Sequence, residues 1–362
     1  MKEAAAGPVL NCRHPTLVPR MRPILLRLSA LLLLWPLAAA AAPTPDPALR
    51  EAFLAHAAER YGLAADEVGA WLAKSTYRQG IVNAMARPAE RTKAWHEYRP
   101  IFISDRRIAD GRAFLARHRE QLAKVEADTG VPAELIVAII GVETSYGGNT
   151  GSHQVLDALY TLGFFYPVSG DPAQVEREAA RGRFFRDELA QVMLLAREEQ
   201  LDLAALKGSY AGAMGYGQFM PSSYRAYARD GDGDGRRDLF GSLPDVFASI
   251  ANYFVAHGWQ PGEPVVALAH KDESAEAFVA DGLEAKYSLA ELGARGYRPA
   301  EAQGHDLKAT LVTLEGSGGT EHWLGFQNFY AITRYNRSPM YAMAVHQLSR
   351  EIAAGAEVAA AP

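Results

Sequence analysis

Glu143 closes an apolar run, Leu135 to Val142, in the segment GVETSYGGNTGSH that begins at Gly141. Thr129 and Gly130 followed by Pro132 mark a helix start with proline in the first turn. The spacing predicts a helix from Pro132 to Val142, apolar on nearly every face and therefore buried. A carboxylate carried into such a core is penalised in its charged form, so its pKa rises. A glutamic acid kept protonated near neutral pH can donate a proton to a glycosidic oxygen. The competing reading is a glutamate at a helix end, open to solvent or paired with an arginine.

Two further segments carry ligand-binding chemistry. In DGDGDGRRDLFGSLPD, Asp230, Asp232 and Asp234 take the first, third and fifth places of a calcium loop, and Gly235 takes the sixth. Arg236 would offer its backbone carbonyl, and Asp238 is a further oxygen donor. The twelfth place, where a bidentate glutamate is usual, holds Gly241; Asp245 lies four residues on and can close a longer loop. The alternative is a solvated acidic turn. In SYAGAMGYGQFMPSSYRAYA, from Ser209, glycines punctuate aromatic and amide side chains. No Gly-Lys-Ser/Thr follows, which argues against a phosphate loop. Tyr210, Tyr216, Phe219 and Tyr224 supply flat faces for a pyranose ring and Gln218 an amide for its hydroxyls, although aromatics at such spacing also fill cores.

The elements that must position these groups read as mostly helical. Pro43 to Pro47 is linker-like, and helical spacing runs from Ala48 to Ala94, again from Ile108 to Thr129, then over 153–163, 184–203 and 245–257. Pro167 to Asp171 reads as a turn. From Pro264 to about Gly325, short apolar runs (265–268 and 309–314) alternate with polar and glycine-rich turns, which predicts a small strand-bearing region. Helix returns near Phe326 and closes the chain from Met340 to Ala353.

Composition narrows the class. The 362 residues are 49% hydrophobic and 22% charged, ordinary globular material, and a net charge of −5 offers no field for nucleic acid. Arg22 and Arg27, then Leu28 to Leu37, then the alanines Ala38 to Ala42 read as a positive region, apolar core and small-residue cleavage site of an export signal. A transmembrane anchor is the alternative, but the apolar core is short for one. The sole cysteine, Cys12, precedes the signal, so an exported mature chain carries no disulfide and no thiol for a lipid anchor.

Taken together, GVETSYGGNTGSHQVLDALYTLGFFYP, KGSYAGAMGYGQFMPSSY, the Asp-rich loop with SIANYFVAHGW, and YAITRYNRS resemble the B family of lytic murein transglycosylases, from about Tyr98 to the last helix. The resemblance implies a mainly α (α+β) fold: a lysozyme-like core, a helical domain and a small β-containing subdomain. On that basis residues 1–42 are an extension and signal peptide, and 46–97 an N-terminal helical region. Residues 98–261 are the catalytic core, with a helical insertion near 164–203 and the calcium loop; 262–325 are the strand-bearing subdomain, and 326–356 complete the core. It further implies Glu143 as the lone catalytic acid, and Tyr98, Ser209, Gln218, Phe219, Tyr253, Tyr335 and Asn336 along the sugar groove. Asp230, Asp232, Asp234, Arg236 (by its carbonyl) and Asp245 would bind structural Ca2+, with no organic cofactor. The implied partners are peptidoglycan strands and cell-wall synthesis or remodelling proteins; the implied location is the periplasm. One departure stands out. Some relatives carry a pair of arginines and a tyrosine around positions 180–184, where this chain has Ala180, Arg181 and Phe184.

One acid suffices for a transglycosylase. Hydrolysis with inversion needs a second carboxylate to activate water, and retention usually needs one as nucleophile. None belongs to the Glu143 motif; the nearest downstream, Asp157, lies in an apolar LDALYTL helix and reads as a packing or hydrogen-bonding residue. The 2-acetamido group of N-acetylmuramic acid can stabilise charge at C1, and its 6-hydroxyl can attack C1 to give a 1,6-anhydro end. A hydrolytic muramidase on the same fold, or a non-catalytic calcium-stabilised glycan binder, are the other readings.

Overall fold

In a computed structural model of the chain, residues 43–86, 93–304 and 306–360 are described, with side chains through Gly355. The export signal expected within residues 1–42 lies outside them. From Pro43 onward the chain clusters as one unit.

Among the described residues, six helices precede the one that carries Glu143: α1 (Pro47–Tyr61), α2 (Ala65–Lys74), α3 (Gln79–Ala86), α4 (Trp95–Phe102), α5 (Asp105–Arg117) and α6 (Arg119–Thr129). The sequence marks several of their ends. Asp46 caps α1 by accepting from the Leu49 N–H at 3.1 Å, and Ser104 does the same for α5 from the Arg107 N–H at 3.3 Å. Gly62 ends α1 and Gly130 ends α6, both in the left-handed conformation. Among the described residues, the helical pattern over 48–94 resolves into three helices, and that over 108–129 breaks in two at His118.

The next helix, α7 (Ala133–Thr144), is the hub. Ile136, Val137, Ala138, Ile139 and Ile140 are each 0% exposed, because α5, α6, the later α11 and the last helix surround it. A helix packed on all sides needs no polar face, which explains its unbroken apolar run. Beyond it come strand β1 (His153–Gln154), α8 (Val155–Phe164), a short 3₁₀ turn at Pro172–Gln174, and α9 (Val175–Glu198). The expected helix over 184–203 therefore begins nine residues early and ends at Glu198. Its buried side chains lie in the second half, from Phe185 to Ala196, apart from Gly182. The exposed, charged first half lacks the apolar period that would have revealed it.

Strand β2 (Lys207–Gly208) pairs with β1; α10 (Pro221–Tyr227) and α11 (Leu243–Ala256) follow. Next comes an antiparallel five-stranded sheet built from β3 (Val266–Lys271), β4 (Tyr287–Ser288), β5 (Tyr297–Pro299), β6 (Lys308–Gly316) and β7 (Gly319–Gly325), in the order β4-β6-β7-β3-β5. The short helix α12 (Leu289–Ala294) sits between β4 and β5. Both faces of β6 are buried. Val312 and Leu314 join the main core, whereas Ala309 and Leu311 face a second cluster with Leu292, Tyr297, Leu324 and Phe326. The period of two along the strand thus serves two cores. Helix α13 (Gln327–Tyr335) packs on α14 (Pro339–Ala360), which returns to α7. The described residues are mainly helical, with one five-stranded sheet and the short β1–β2 pair, the mainly α fold that the sequence predicts.

One junction carries a titratable group. Glu188, 2% exposed on α9, accepts the Ser222 N–H at 2.9 Å and the Ser222 hydroxyl at 2.5 Å in the first turn of α10. Burial raises its pKa from 4.5 to about 7, against the lowering effect of Ser222 and with a small push from Asp187. In the unfolded chain it ionises near 4.5. Its contribution to stability is therefore complete below that pH and declines as pH rises toward 7, by on the order of 3 kcal/mol. Glu188→Gln keeps both contacts, its amide oxygen accepting the Ser222 N–H and its amide nitrogen donating to the Ser222 hydroxyl, and it cannot ionise. We predict that it raises the unfolding midpoint at pH 8 and flattens the difference between pH 5 and pH 8. Equal slopes in both proteins would refute the assignment.

Candidate active site

Glu143 sits in the last turn of α7, partly exposed at the end of an otherwise buried helix. The phenol of Tyr341, in the first turn of α14, donates to Glu143 Oε1 at 2.5 Å. Tyr341 is 3% exposed; burial holds its phenol well above its ordinary pKa, and the Glu143 charge adds to this. Tyr335 is raised for the same two reasons, so both tyrosines remain protonated donors beside the acid. The helix ends in a sharp turn. Ser145 and Tyr146 adopt φ of 51° and 61°, and Gly147 follows at 87°. The Tyr146 phenol donates to the Arg107 carbonyl at 2.7 Å, and the Arg107 guanidinium donates to the Gly141 carbonyl. A cation there satisfies a carbonyl at the negative end of the helix.

The glycine-rich segment forms a tight loop beside this turn. Met214 and Phe219 exchange backbone hydrogen bonds of 2.9 Å, so Gly215 to Gln218 make the reversal between them. Gln218 holds a left-handed φ of 50°, and its amide nitrogen donates to Gly215 O at 2.9 Å and Thr150 O at 3.1 Å. Gly217 must be glycine, because a Cβ there would stand 2.8 Å from the Tyr335 hydroxyl, which donates to the Gly217 carbonyl at 2.6 Å. Ser209 opens the segment with its hydroxyl accepting the Ala211 and Ala213 N–H groups, at 3.3 and 3.1 Å.

An aromatic wall joins the loop to α11 and α13. Phe219, Tyr253 and Tyr335 lie ring to ring, with centroids 4.9 to 5.8 Å apart. The Tyr253 phenol donates to Arg334 O at 2.6 Å, and burial, with Tyr227 adding, pushes its pKa up to about 12. Asn336 ends α13, and its carbonyl accepts the Ser338 N–H at 2.7 Å in the turn that leads to Tyr341. Tyr98 is 3% exposed on α4, packed on Trp95 and Phe102 and near enough to Tyr341 to raise its pKa. It backs the site as a buried wall and offers no open face.

The other buried acids among the described residues are Asp157, Glu188 and Asp245. Asp157 pairs with Arg78 at 2.7 Å and accepts the Thr76 N–H at 2.8 Å, the hydrogen-bonding role its sequence context suggests. In the acidic loop, Asp230, Asp232 and Asp245 bring carboxylate oxygens within 4.8 Å of one another. Asp245 is 1% exposed; burial raises its pKa, and the Asp232 charge adds. Asp234, expected with them, is not in this group. Its carboxylate accepts the Arg236 N–H at 2.8 Å in a local turn, a short-range bond that spacing alone does not distinguish from metal ligation. Arg236 itself is exposed. At the positions where the resemblance implies arginines and a tyrosine in some relatives, Ala180 and Phe184 are exposed, and the Arg181 guanidinium lies 5.0 Å from the Phe184 ring centre.

Tyr341 is the site residue that the sequence does not reveal. It meets Glu143 across 198 residues, and a tyrosine behind a proline in an apolar helix carries no chemical signature.

Comparison with known proteins agrees with the geometry. A family model for the transglycosylase SLT domain matches residues 46–350. Membrane-bound lytic murein transglycosylase B of Escherichia coli K12 is 42% identical over 275 residues, covering 76% of this chain and 72% of that protein. Soluble lytic transglycosylase SltB1 from Pseudomonas aeruginosa is 50% identical with a TM-score of 0.76, covering 86% of this chain and all of that one. The Escherichia coli lytic transglycosylase Slt35, solved in complex with calcium, is 37% identical with a TM-score of 0.73 over 87% of this chain and 94% of its own. The chain thus shares their lysozyme-like fold, belongs to the SLT-domain family, and is a lytic transglycosylase of peptidoglycan.

Proposed function

We propose that this enzyme cleaves the β-1,4 bond between N-acetylmuramic acid and N-acetylglucosamine with Glu143 as its only acid–base group, leaving 1,6-anhydro-N-acetylmuramic acid ends. The observation that carries this reading is the distribution of buried carboxylates. Asp157 is paired with Arg78, Glu188 is held by Ser222, and Asp245 braces the acidic loop; Glu143 alone stands among the groove tyrosines. A retaining pair would need a second carboxyl at about 5–5.5 Å and an inverting pair one at about 6.5–9.5 Å. Glu143 first protonates the leaving oxygen, while the substrate's acetamido group stabilises C1. It then takes the proton of the 6-hydroxyl as that oxygen attacks C1. No water is consumed, and the proton count closes on Glu143. The intramolecular attack draws on proximity worth about 7–11 kcal/mol in favourable cases. Tyr341 holds one carboxylate oxygen, which turns the other toward the glycosidic bond.

The substrate's place in the cell wall and the charged, apolar and small-residue order of the N-terminus support action in the periplasm after export. We also assign Ca2+ to the acidic loop. Three carboxylates gathered around one point repel unless a cation lies between them, and their hard oxygens suit calcium. Asp230, Asp232 and Asp245 would hold the ion, whose effect is to fix the loop between α10 and α11.

Glu143→Gln should fold normally and still bind glycan strands, yet lose at least about 10²-fold in muropeptide release. Near-normal release would remove Glu143 from the mechanism. The released muropeptides should be one water lighter than lysozyme products by mass spectrometry. If heavy-oxygen water labels the muramic ends as the main primary product, the enzyme is a hydrolase. For a site with dissociation constant of about 10⁻⁴–10⁻³ M, about 10 mM calcium would add roughly 1–3 kcal/mol of stability. Calcium should raise the unfolding midpoint and magnesium less so, and Asp232→Ala should abolish most of the rise. Identical midpoints in chelator and in calcium would show the loop to be a plain acidic turn.

A further inference from the structure

Thr144, the residue after the acid, is 1% exposed and central to its turn. Its hydroxyl accepts the Gly147 N–H at 3.0 Å and lies 3.1 Å from the Tyr216 carbonyl and 3.0 Å from the Ile140 carbonyl. The turn it closes holds three successive residues at positive φ, two of them with side chains that disfavour that region. Bonds from Ser145 to Gly141, from Tyr146 to Ile140 and from Asn149 to Thr144 hold it locally, at 3.1, 3.2 and 2.9 Å. The Thr144 hydroxyl is different, because it reaches a segment 72 residues away.

That segment is itself fixed from the other side. The Tyr216 N–H donates to Leu239 O at 3.2 Å, and a Cβ on Gly215 would lie 2.4 Å from the same oxygen. The Leu239 N–H donates to the Tyr224 hydroxyl at 3.1 Å, and the neighbouring Asp238 N–H donates to Asp245 Oδ2 at 2.7 Å. The Tyr216 ring also covers Gly147, where a Cβ would stand 2.1 Å from it. An unbroken series of contacts therefore runs from the acidic loop through Leu239 and Tyr216 to the turn behind the acid. The geometry points to Thr144 as a positioning residue, whose hydroxyl locks the end of α7 to the Tyr216 backbone and so sets the direction in which Glu143 points. This rests on Glu143 being the acid.

A loosened turn misplaces the carboxyl while leaving the aromatic groove intact. Turnover should suffer, and substrate binding should not. Thr144→Val keeps the shape and removes both hydrogen-bonding functions; Thr144→Ser restores them. On soluble peptidoglycan strands we expect Thr144→Val to lower kcat by roughly 10–100-fold with KM within about twofold, since misplacement of a catalytic group by about 1 Å can remove 10²-fold. Thr144→Ser should recover most of the turnover. Should the valine variant fail to fold, Thr144→Ala carries the same comparison. Wild-type kcat in the folded Thr144→Val or Thr144→Ala protein overturns the proposal, as does a loss that serine does not restore. A kcat loss matched by an equal loss of binding also overturns it, since that would mark a general structural role. Glu143→Gln, assayed alongside, separates the two readings: activity in that variant defeats the acid assignment, whereas an inert Glu143→Gln with an unimpaired Thr144→Val defeats only the positioning role.

Discussion

Burial of α7 on every side from Leu135 to Val142 is the constraint on which the rest depends. A helix surrounded along such a run gains hydrophobic stabilisation from each of those residues, but it leaves its terminal carbonyls and its final carboxylate to be satisfied by other elements. The structure meets that demand from three directions. Arg107 of α5 takes the Gly141 carbonyl, Tyr341 of α14 takes Glu143, and the loop at Tyr216 takes the hydroxyl of Thr144. Each donor or acceptor comes from a different part of the chain. The site is a consequence of how the core is closed.

The small sheet belongs to the same account. Strand β6 presents Val312 and Leu314 to the main core, on the side where α4 packs, and Ala309 and Leu311 to the second cluster. Helix α4 carries Tyr98, which stands behind Tyr341. The strand region therefore supports the wall behind the acid, two layers removed from it. Its own short edge strands, β4 and β5, limit the backbone left unpaired at either side.

Much of this was legible before any coordinates. The apolar run before Glu143 announces a surrounded helix, and alternating short runs after Pro264 announce strands, because burial imposes its period directly on sequence. The acidic loop is half legible. Asp230, Asp232 and Asp245 converge, but whether Asp234 serves a metal or its own backbone depends on a torsion angle that no spacing encodes. The start of α9 was hidden for another reason: its first ten residues are mostly exposed and rich in charge, so no apolar repeat marks the helical period there. Tyr341 and Thr144 were invisible for a third. Their roles lie in single hydrogen bonds to distant residues, and a side chain's type does not name its partner.

The four acids that burial touches show how environment divides one functional group into four tasks. Asp157 meets a guanidinium, so its charge is balanced and it serves as a strut between the α2–α3 connection and α8. Glu188 meets only a hydroxyl and an N–H; neutral donors cannot offset desolvation in full, so it titrates near neutrality and makes a helix junction pH-sensitive. Asp245 accepts the backbone N–H groups of Gly231 and Asp238 but faces two other carboxylates, an arrangement that favours a shared cation. Glu143 meets a phenol that cannot balance its charge and stands partly open to the groove. Full burial would have barred a ligand from it. Of the four environments, this one combines a neutral hydrogen-bond partner with partial exposure, and the proposed role of a single glutamate as acid and then as base rests on that combination.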